Sequence, residues 1–315
     1  VKLQDSPITQ HNLNGRTFYL KRDDLLHSHF NGNKARKFAD TLQQQYPQVT
    51  RLIGWGSVQA NSLTTLAALA KIKGWSLTYY VDHKPSWLDE KPMGNYRMAL
   101  ELGATIVSLA DINDSDYMPE PKLHPSDFIQ RHHGNDETCL IIPEGGRFQS
   151  AQLGVQQLAR EILTWSRFEK SSALKVALPS GTGTTALYLA KTLQPEGIEV
   201  LTCPCVGGKE YLIRQFHELA EYDNHPTILE LEKKHHFAKL YEDDYLMWQT
   251  MNEQTHVEFD LLYDPLMWRC LVPWLEENKE ATLLYIHQGG LLGNETMLPR
   301  YERKFGAASK KVLSW

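Results

Sequence analysis

The chain has 315 residues, 42% hydrophobic and 23% charged, which is enough to bury a large core in two lobes and too apolar for disorder. A formal net charge of −5 with acids and bases interspersed excludes a broad cationic surface for nucleic acid or anionic lipid. No apolar run approaches the about 20 residues of a membrane span, so a small molecule is the expected partner, with neither nucleic acid nor membrane.

In chain order, Thr17 to Leu20 is a short β-prone run leading into the charged turn Lys21 to Asp24. The glycine turn Phe30-Asn31-Gly32-Asn33 then delivers Lys34 to the start of a helix. In that helix Phe38 and Leu42 share a face, and Pro47 ends the pattern. Arg51 to Gly54 reads as a buried strand that ends at Gly54-Trp55-Gly56. Asn61 or Ser62 can cap the helix that follows, with Leu63, Leu66, Ala67 and Ala70 on one face and Gly74 closing it. Alternation continues through strands at Leu77 to Val81, Thr105 to Leu109 and Cys139 to Ile142, with a helix at Tyr96 to Leu102. Ala110 to Pro125, with its aspartates and prolines, reads as a surface excursion.

A helix follows from Ala151 to Phe168, with Leu153, Gln157, Ile162 and Trp165 toward one face. Val176-Ala-Leu runs into Pro179-Ser-Gly-Thr-Gly-Thr-Thr and a helix at Ala186 to Leu193. Later pairs are a strand at Glu199 to Cys203 with a helix at Glu210 to Glu221, and a strand at Thr282 to His287 with a last helix after Gly293. Repeated strand and helix alternation predicts α/β architecture with mostly parallel sheets flanked by helices. Composition alone sets no domain boundary.

Three features could carry chemistry. Lys34, at a helix start and beside other cations, has the setting that lowers an amine's pKa toward the nucleophilic form of a Schiff-base lysine; the plainer alternative is a solvated basic helix start. Ser180-Gly181-Thr182-Gly183-Thr184-Thr185 can converge backbone N–H groups on a phosphate at a helix start. It is no Walker loop, because no lysine follows in register, and an unliganded strand-to-helix turn is the alternative. Gly54-x-Gly56, with Asp82 after the next strand, could open a dinucleotide site, but Gln59 stands where the third glycine packs.

His132-His133, His235-His236 and His27-x-His29 lack the helical spacing of a zinc pair, so they read as solvated surface and no metal is expected. There is no G-x-S-x-G elbow for hydrolase chemistry. Cys139, Cys203, Cys205 and Cys270 form no C-x-x-C pair, and Cys203-Pro204-Cys205 is too close for a disulfide. They read as buried thiols of a reducing, cytoplasmic setting, and no signal peptide is read at the start.

Lys21-Arg22-Asp23-Asp24-Leu25 followed by Gly32-Asn33-Lys34-Ala35-Arg36-Lys37, with the later glycine turns in matching order, resembles the pyridoxal-phosphate enzymes of the aminocyclopropane-carboxylate deaminase and D-cysteine desulfhydrase family. That family is tryptophan-synthase-β-like, of fold type II, and the resemblance runs from about Phe18 to the C-terminus. It implies a two-lobed α/β fold, with residues 47–148 inserted as a smaller domain into a larger one of 1–46 and 149–315. Lys34 would lie near the seam, where ligands usually bind.

The resemblance implies pyridoxal 5′-phosphate as cofactor, with Lys34 as its imine lysine and shuttle of the α-proton. Thr182, Gly183, Thr184 and Thr185 would cradle the phosphate, Asn61 would bind the ring hydroxyl, and Gln288 would lie beside the pyridine nitrogen. The stretch Gln59, Ala60 and Asn61 would receive the substrate carboxylate, and Tyr241 would be the retained active-site tyrosine. The chain departs from the family at Ala60, where a serine is usual, and at Met267 and Trp268, in the places of a tyrosine and a glutamate. These departures favour D-cysteine-like β-elimination, giving ammonia, an α-keto acid and sulfide, over ring opening of aminocyclopropane carboxylate; a non-catalytic descendant is the remaining alternative. A homodimer is also implied.

Overall fold

The computed structural model describes residues 3–112, 124–169, 173–221 and 224–306. Most of the excursion expected over Ala110 to Pro125 lies outside them. The strands are β1 (Ile8–Leu13), β2 (Arg16–Arg22), β3 (Arg51–Trp55), β4 (Ser76–Val81), β5 (Thr105–Ser108), β6 (Cys139–Ile141), β7 (Leu174–Ser180), β8 (Glu199–Pro204), β9 (Thr227–Ile228) and β10 (Thr282–His287). The first six helices are α1 (Gly32–Lys37), α2 (Ala39–Gln43), α3 (Asn61–Lys73), α4 (Trp87–Glu90), α5 (Gly94–Glu101) and α6 (Pro125–His133). The others are α7 (Ala151–Glu169), α8 (Thr184–Leu193), α9 (Lys209–Leu219), α10 (Glu242–Thr255), α11 (Asp264–Glu277) and α12 (Asn294–Phe305).

The chain divides into two compact units, one of Val1–Asp40 with Phe148–Trp315 and one of Thr41–Arg147. The first holds a six-stranded sheet ordered β1-β2-β10-β7-β8-β9, and the second a four-stranded sheet ordered β5-β4-β3-β6. Every pairing is parallel except β1 with β2. The predicted mixed α/β architecture is therefore what the chain forms. Alternation along β10 feeds two cores, as the period of two along a strand requires. Leu284 and Ile286 pack with Val155, Leu158 and Leu189 of α7 and α8, while Leu283 and Tyr285 pack with Met247, Met251 and Leu271 of α10 and α11. Among the described residues, no helix is long and apolar enough to cross a membrane.

Four local expectations change. The single helix after Lys34 is two short ones, broken at Phe38 (φ −92°, ψ 7°), whose fully buried ring stacks 5.9 Å from Phe148. The buried face of α7 is Gly154, Val155, Leu158, Ala159 and Ile162, and Leu153 is 52% exposed. Gly154 decides this: a Cβ there would lie 1.8 Å from the Arg36 carbonyl oxygen, so α7 approaches α1 backbone to backbone. Ala60, not Asn61 or Ser62, occupies the N-cap of α3 and makes no side-chain cap, whereas Gly74 does close that helix in the left-handed region. Finally, β1 adds an antiparallel edge strand through Asn14-Gly15, both at positive φ, the signature of a two-residue hairpin turn.

All four cysteines are free. Cys203, Cys205 and Cys270 are buried as expected, but Cys139 is half-buried, with its sulfur against Arg51 and Asp136.

Candidate active site

The motif residues around Lys34 meet in one buried ion cluster within the six-stranded unit. Arg36 donates from Nε and Nη2 to the two oxygens of Asp23 (2.9 and 2.8 Å) and from Nη1 and Nη2 to those of Glu161 on α7 (2.7 and 2.8 Å). Lys21 completes it, 2.7 Å from Glu161 Oε2, with Nζ also donating to the Ser6 carbonyl. The Arg36 and Asp23 side chains are fully buried, and Glu161 and Lys21 nearly so. Burial alone would pull the guanidinium pKa down, but Asp23 and Glu161 outweigh it and hold it above the ordinary arginine value. Two positive and two negative groups thus clamp α1 against β2, the turn after it, and α7.

The other end of α1 is held by a different contact. Gly32 has φ +61°, and a Cβ there would lie 1.7 Å from the Gln288 carbonyl oxygen, which accepts the Asn33 N–H at 3.2 Å. Lys34 follows, half-buried. One turn on, Lys37 is buried; burial, and then the charge of Lys34, push its amine well below the usual lysine range. The amine next to Lys34 is therefore that of Lys37, at the i, i+3 spacing that brings helix side chains together. Sequence reasoning had credited helix polarity as well, but α1 spans only six residues.

Gln288 links this turn to the glycine loop. Its Nε2 donates to the Pro179 carbonyl at 2.8 Å, immediately before Ser180-Gly181-Thr182-Gly183. Gly183 (φ +73°) caps α8 without a side-chain bond, leaving the first-turn N–H groups of α8 as the orphan donors that helix starts present. A Cβ on Gly183 would meet Leu212 Cδ1 and Phe216 Cε1 at 2.5 Å. The positive φ and the packing against α9 thus both call for glycine here. Thr185 Oγ1 and Gln288 Oε1 are both buried without a partner among the described residues. Buried polar atoms are rarely left so, and these two fall on residues expected at a cofactor. Lys34, Gln288 and the loop to Thr185 therefore fit pyridoxal phosphate: an amine, a neutral amide, and anion-binding N–H and hydroxyl groups, brought together in one unit.

Tyr241 stands apart from that chain of contacts. It precedes α10, its hydroxyl accepts the His236 N–H at 3.1 Å, and its ring stacks 4.4 Å from His235. His235, expected on the solvated surface, is instead half-buried and 2.7 Å from Asp244. His133, read the same way, lies 2.7 Å from the Tyr80 hydroxyl. Met267 and Trp268 are core residues, with the Trp268 ring 4.8 Å from Phe18 and 5.0 Å from Tyr285.

Before α11, Asp260 Oδ1 accepts the N–H groups of Leu262 and Tyr263, and Asp264 Oδ2 accepts the N–H of Asp260. Burial, and then the Asp264 charge, push the Asp260 carboxyl up to about 8. An unfolded aspartate releases its proton near about 3.9, so the folded state keeps a proton that the unfolded state has lost between there and about 8. Stability from this group is full below that window and is lost as pH rises through it. Asp260→Asn should flatten the fall in melting temperature between pH 5 and 8. Melting curves with the same pH slope for parent and variant would refute this.

In the four-stranded unit, Gln59, Ala60 and Asn61 lead into α3. The Gln59 side chain accepts the Asn95 N–H (3.1 Å) and donates to the Met93 carbonyl (3.0 Å). Asn95 Nδ2 donates to both the Gln59 carbonyl and Asn61 Oδ1 at 2.9 Å. Asn95, 2% exposed, organises this loop and was missed from sequence. Its only mark there was its place beside Gly94 at a helix start. By occupying Asn61 Oδ1, Asn95 makes Nδ2 the donor end of that amide.

No family model matches the chain. It is 23% identical over 338 residues to a putative mitochondrial D-cysteine desulfhydrase 2 of Oryza sativa subsp. japonica, covering 91% of this chain and 81% of that protein. A putative 1-aminocyclopropane-1-carboxylate deaminase of Thermotoga maritima is 24% identical, covering 89% and 90%. The D-cysteine desulfhydrase of Serratia proteamaculans is 28% identical, but the match covers 57% of this chain and only about half, 54%, of that enzyme. Among solved structures, an ACC deaminase homologue superposes with a TM-score of 0.74 at 22% identity, over 96% of this chain and 95% of its own, a likeness of fold.

Proposed function

We propose that this chain, which belongs with the D-cysteine desulfhydrase and aminocyclopropane-carboxylate deaminase homologues, uses pyridoxal 5′-phosphate to eliminate a β-substituent from a small amino acid such as D-cysteine. The observation that carries this is the convergence of the Lys34 turn, Gln288 and the Ser180–Thr185 loop through the Asn33–Gln288 and Gln288–Pro179 bonds. Bound there, the cofactor supplies an electron sink for the bond broken at the α-carbon.

The chain's own residues do the rest. Lys34 Nζ anchors the cofactor and, once displaced by substrate, takes the α-proton. The N–H groups of Thr182 to Thr185 hold the phosphate at the start of α8. On the four-stranded unit, Asn95 takes the Oδ1 of Asn61 and leaves the donor end of that amide for a ligand oxygen. Tyr241, whose oxygen already accepts the His236 N–H, has its own hydrogen to give to the departing sulfur. Elimination is favoured over ring opening because the places of the deaminases' tyrosine and glutamate hold Met267 and Trp268, both in the core. No carboxylate stands at that place, and the free end of the Gln288 amide, Oε1, can accept a hydrogen bond but carries no charge to hold a proton on the ring nitrogen.

The test is borohydride reduction of the yellow protein, which should fix the cofactor mass to Lys34, followed by a panel of D- and L-β-substituted amino acids and aminocyclopropane carboxylate assayed for keto acid. Elimination should far exceed ring opening. Label on another lysine would refute the anchoring, and ring opening without any elimination would refute the reaction.

A further inference from the structure

We propose that Tyr263 is a ligand of the anion held by the Ser180–Thr185 loop, supplying from the start of α11 a hydroxyl that Met267 cannot. The proposal rests on the cofactor reading only in naming that anion as the cofactor's phosphate.

The backbone of Tyr263 is fixed on every side. Its N–H donates to Asp260 Oδ1 at 2.8 Å, and its carbonyl accepts the Met267 N–H at 3.3 Å and the Cys205 thiol at 3.9 Å. Cys205 in turn donates its N–H to the Ser180 carbonyl at 2.9 Å, at the mouth of the loop. The Tyr263 ring is packed by Phe237, 5.3 Å away. Its far edge lies over Gly181, where a Cβ would be 3.7 Å from Tyr263 Cε1 and 3.9 Å from its hydroxyl oxygen. The ring packs against the core on one side and brings its phenol edge to the loop, while Met267, one helical turn later, is fully buried.

The chemistry suits an anion. Residues 180 to 185 include no lysine or arginine, so the loop meets negative charge with N–H dipoles and hydroxyls, and a phenol adds a donor of the same neutral kind. Hydrogen bonds to charged groups are the stronger class.

The experiment compares parent and Tyr263→Phe for binding of pyridoxal 5′-phosphate and of pyridoxal, which lacks the phosphate. The variant should bind pyridoxal phosphate about tenfold more weakly or worse, the loss expected of a hydrogen bond to a charged group, and pyridoxal as the parent does. Unchanged affinity for the phosphorylated form, or equal losses for both, would overturn the proposal.

A second measurement needs no variant. Tetranitromethane nitration of Tyr263 in the parent, followed by peptide mass spectrometry, should be slowed by inorganic phosphate while nitration of Tyr46 is not. Nitration of Tyr263 indifferent to phosphate would count against the proposal as well. A parent that protects Tyr263 with phosphate yet takes up no pyridoxal phosphate would sink the cofactor reading and leave this one standing.

Discussion

Arg36→Ala should lower the stability of the six-stranded unit by about 3–5 kcal/mol, the usual cost of removing one partner from a buried ion pair. Asp23 and Glu161, at 0% and 6% exposure, would lose their shared guanidinium and keep only the Ser6 hydroxyl on Asp23 and the Lys21 ammonium on Glu161. Arg36→Lys is no repair, because an ammonium cannot give the forked, two-carboxylate set of bonds that the guanidinium makes. Arg36→Ala combined with Glu161→Ala should cost less than the sum of the two single changes, since the second removes a charge that the first had stranded. Urea unfolding of the four proteins measures this. A single-variant loss below about 1 kcal/mol, typical of exposed pairs, would mean that the cluster is hydrated and that α1 is held by something else.

Gly32→Ala should cut kcat/KM by about a hundredfold or more while leaving most of the fold in place. The added carbon would lie 1.7 Å from one backbone atom of Gln288 and 2.4 Å from another, and the residue would have to keep φ +61°. Neither neighbour is a side chain that can swing aside, so the turn must retreat, and Lys34, two residues on, moves with it. Displacement of a reacting group by about 1 Å costs on the order of a hundredfold in rate. Gly74→Ala is the control: φ is +72° there too, but nothing lies within 4 Å of the new carbon. It should destabilise by about 1 kcal/mol and leave turnover alone. Parent-like activity in Gly32→Ala would show that the contact with Gln288 does not set the lysine's position.

Much of this architecture was legible because its signals are local. Strand and helix alternation, with apolar runs such as Thr282 to His287, is enough to imply parallel sheets covered on both faces. The Asn14-Gly15 hairpin was equally local, but the resemblance begins near Phe18, and the turn just before it went unread. What could not be read depends on distant partners. Lys21, Asp23 and Arg36 were recognised as a motif without a reason for it. The reason is Glu161, a carboxylate on α7 that has no local mark separating it from a solvated helix residue. The buried face of α7 was misjudged for the same cause, since Gly154 contributes no hydrophobicity to a pattern yet governs the approach to α1. Tyr263 escaped attention because motif comparison looked one turn further on, at Met267.

The order of strands also fixes an order of events. β2 lies beside β10, and the turn bearing Lys34 takes its shape from the carbonyl that follows β10. A chain growing from the ribosome has therefore made Lys34, the lysine proposed to anchor the cofactor, long before it makes the surface against which that lysine is set. Closing such long-range pairings is slow, and during synthesis β2 is left with an unpaired edge, open to wrong partners. The four-stranded unit, continuous in sequence, can form on the way. A chain stopped before Thr282 should accordingly fold its inserted sheet yet fail to capture cofactor, and should need chaperones more than its finished counterpart does.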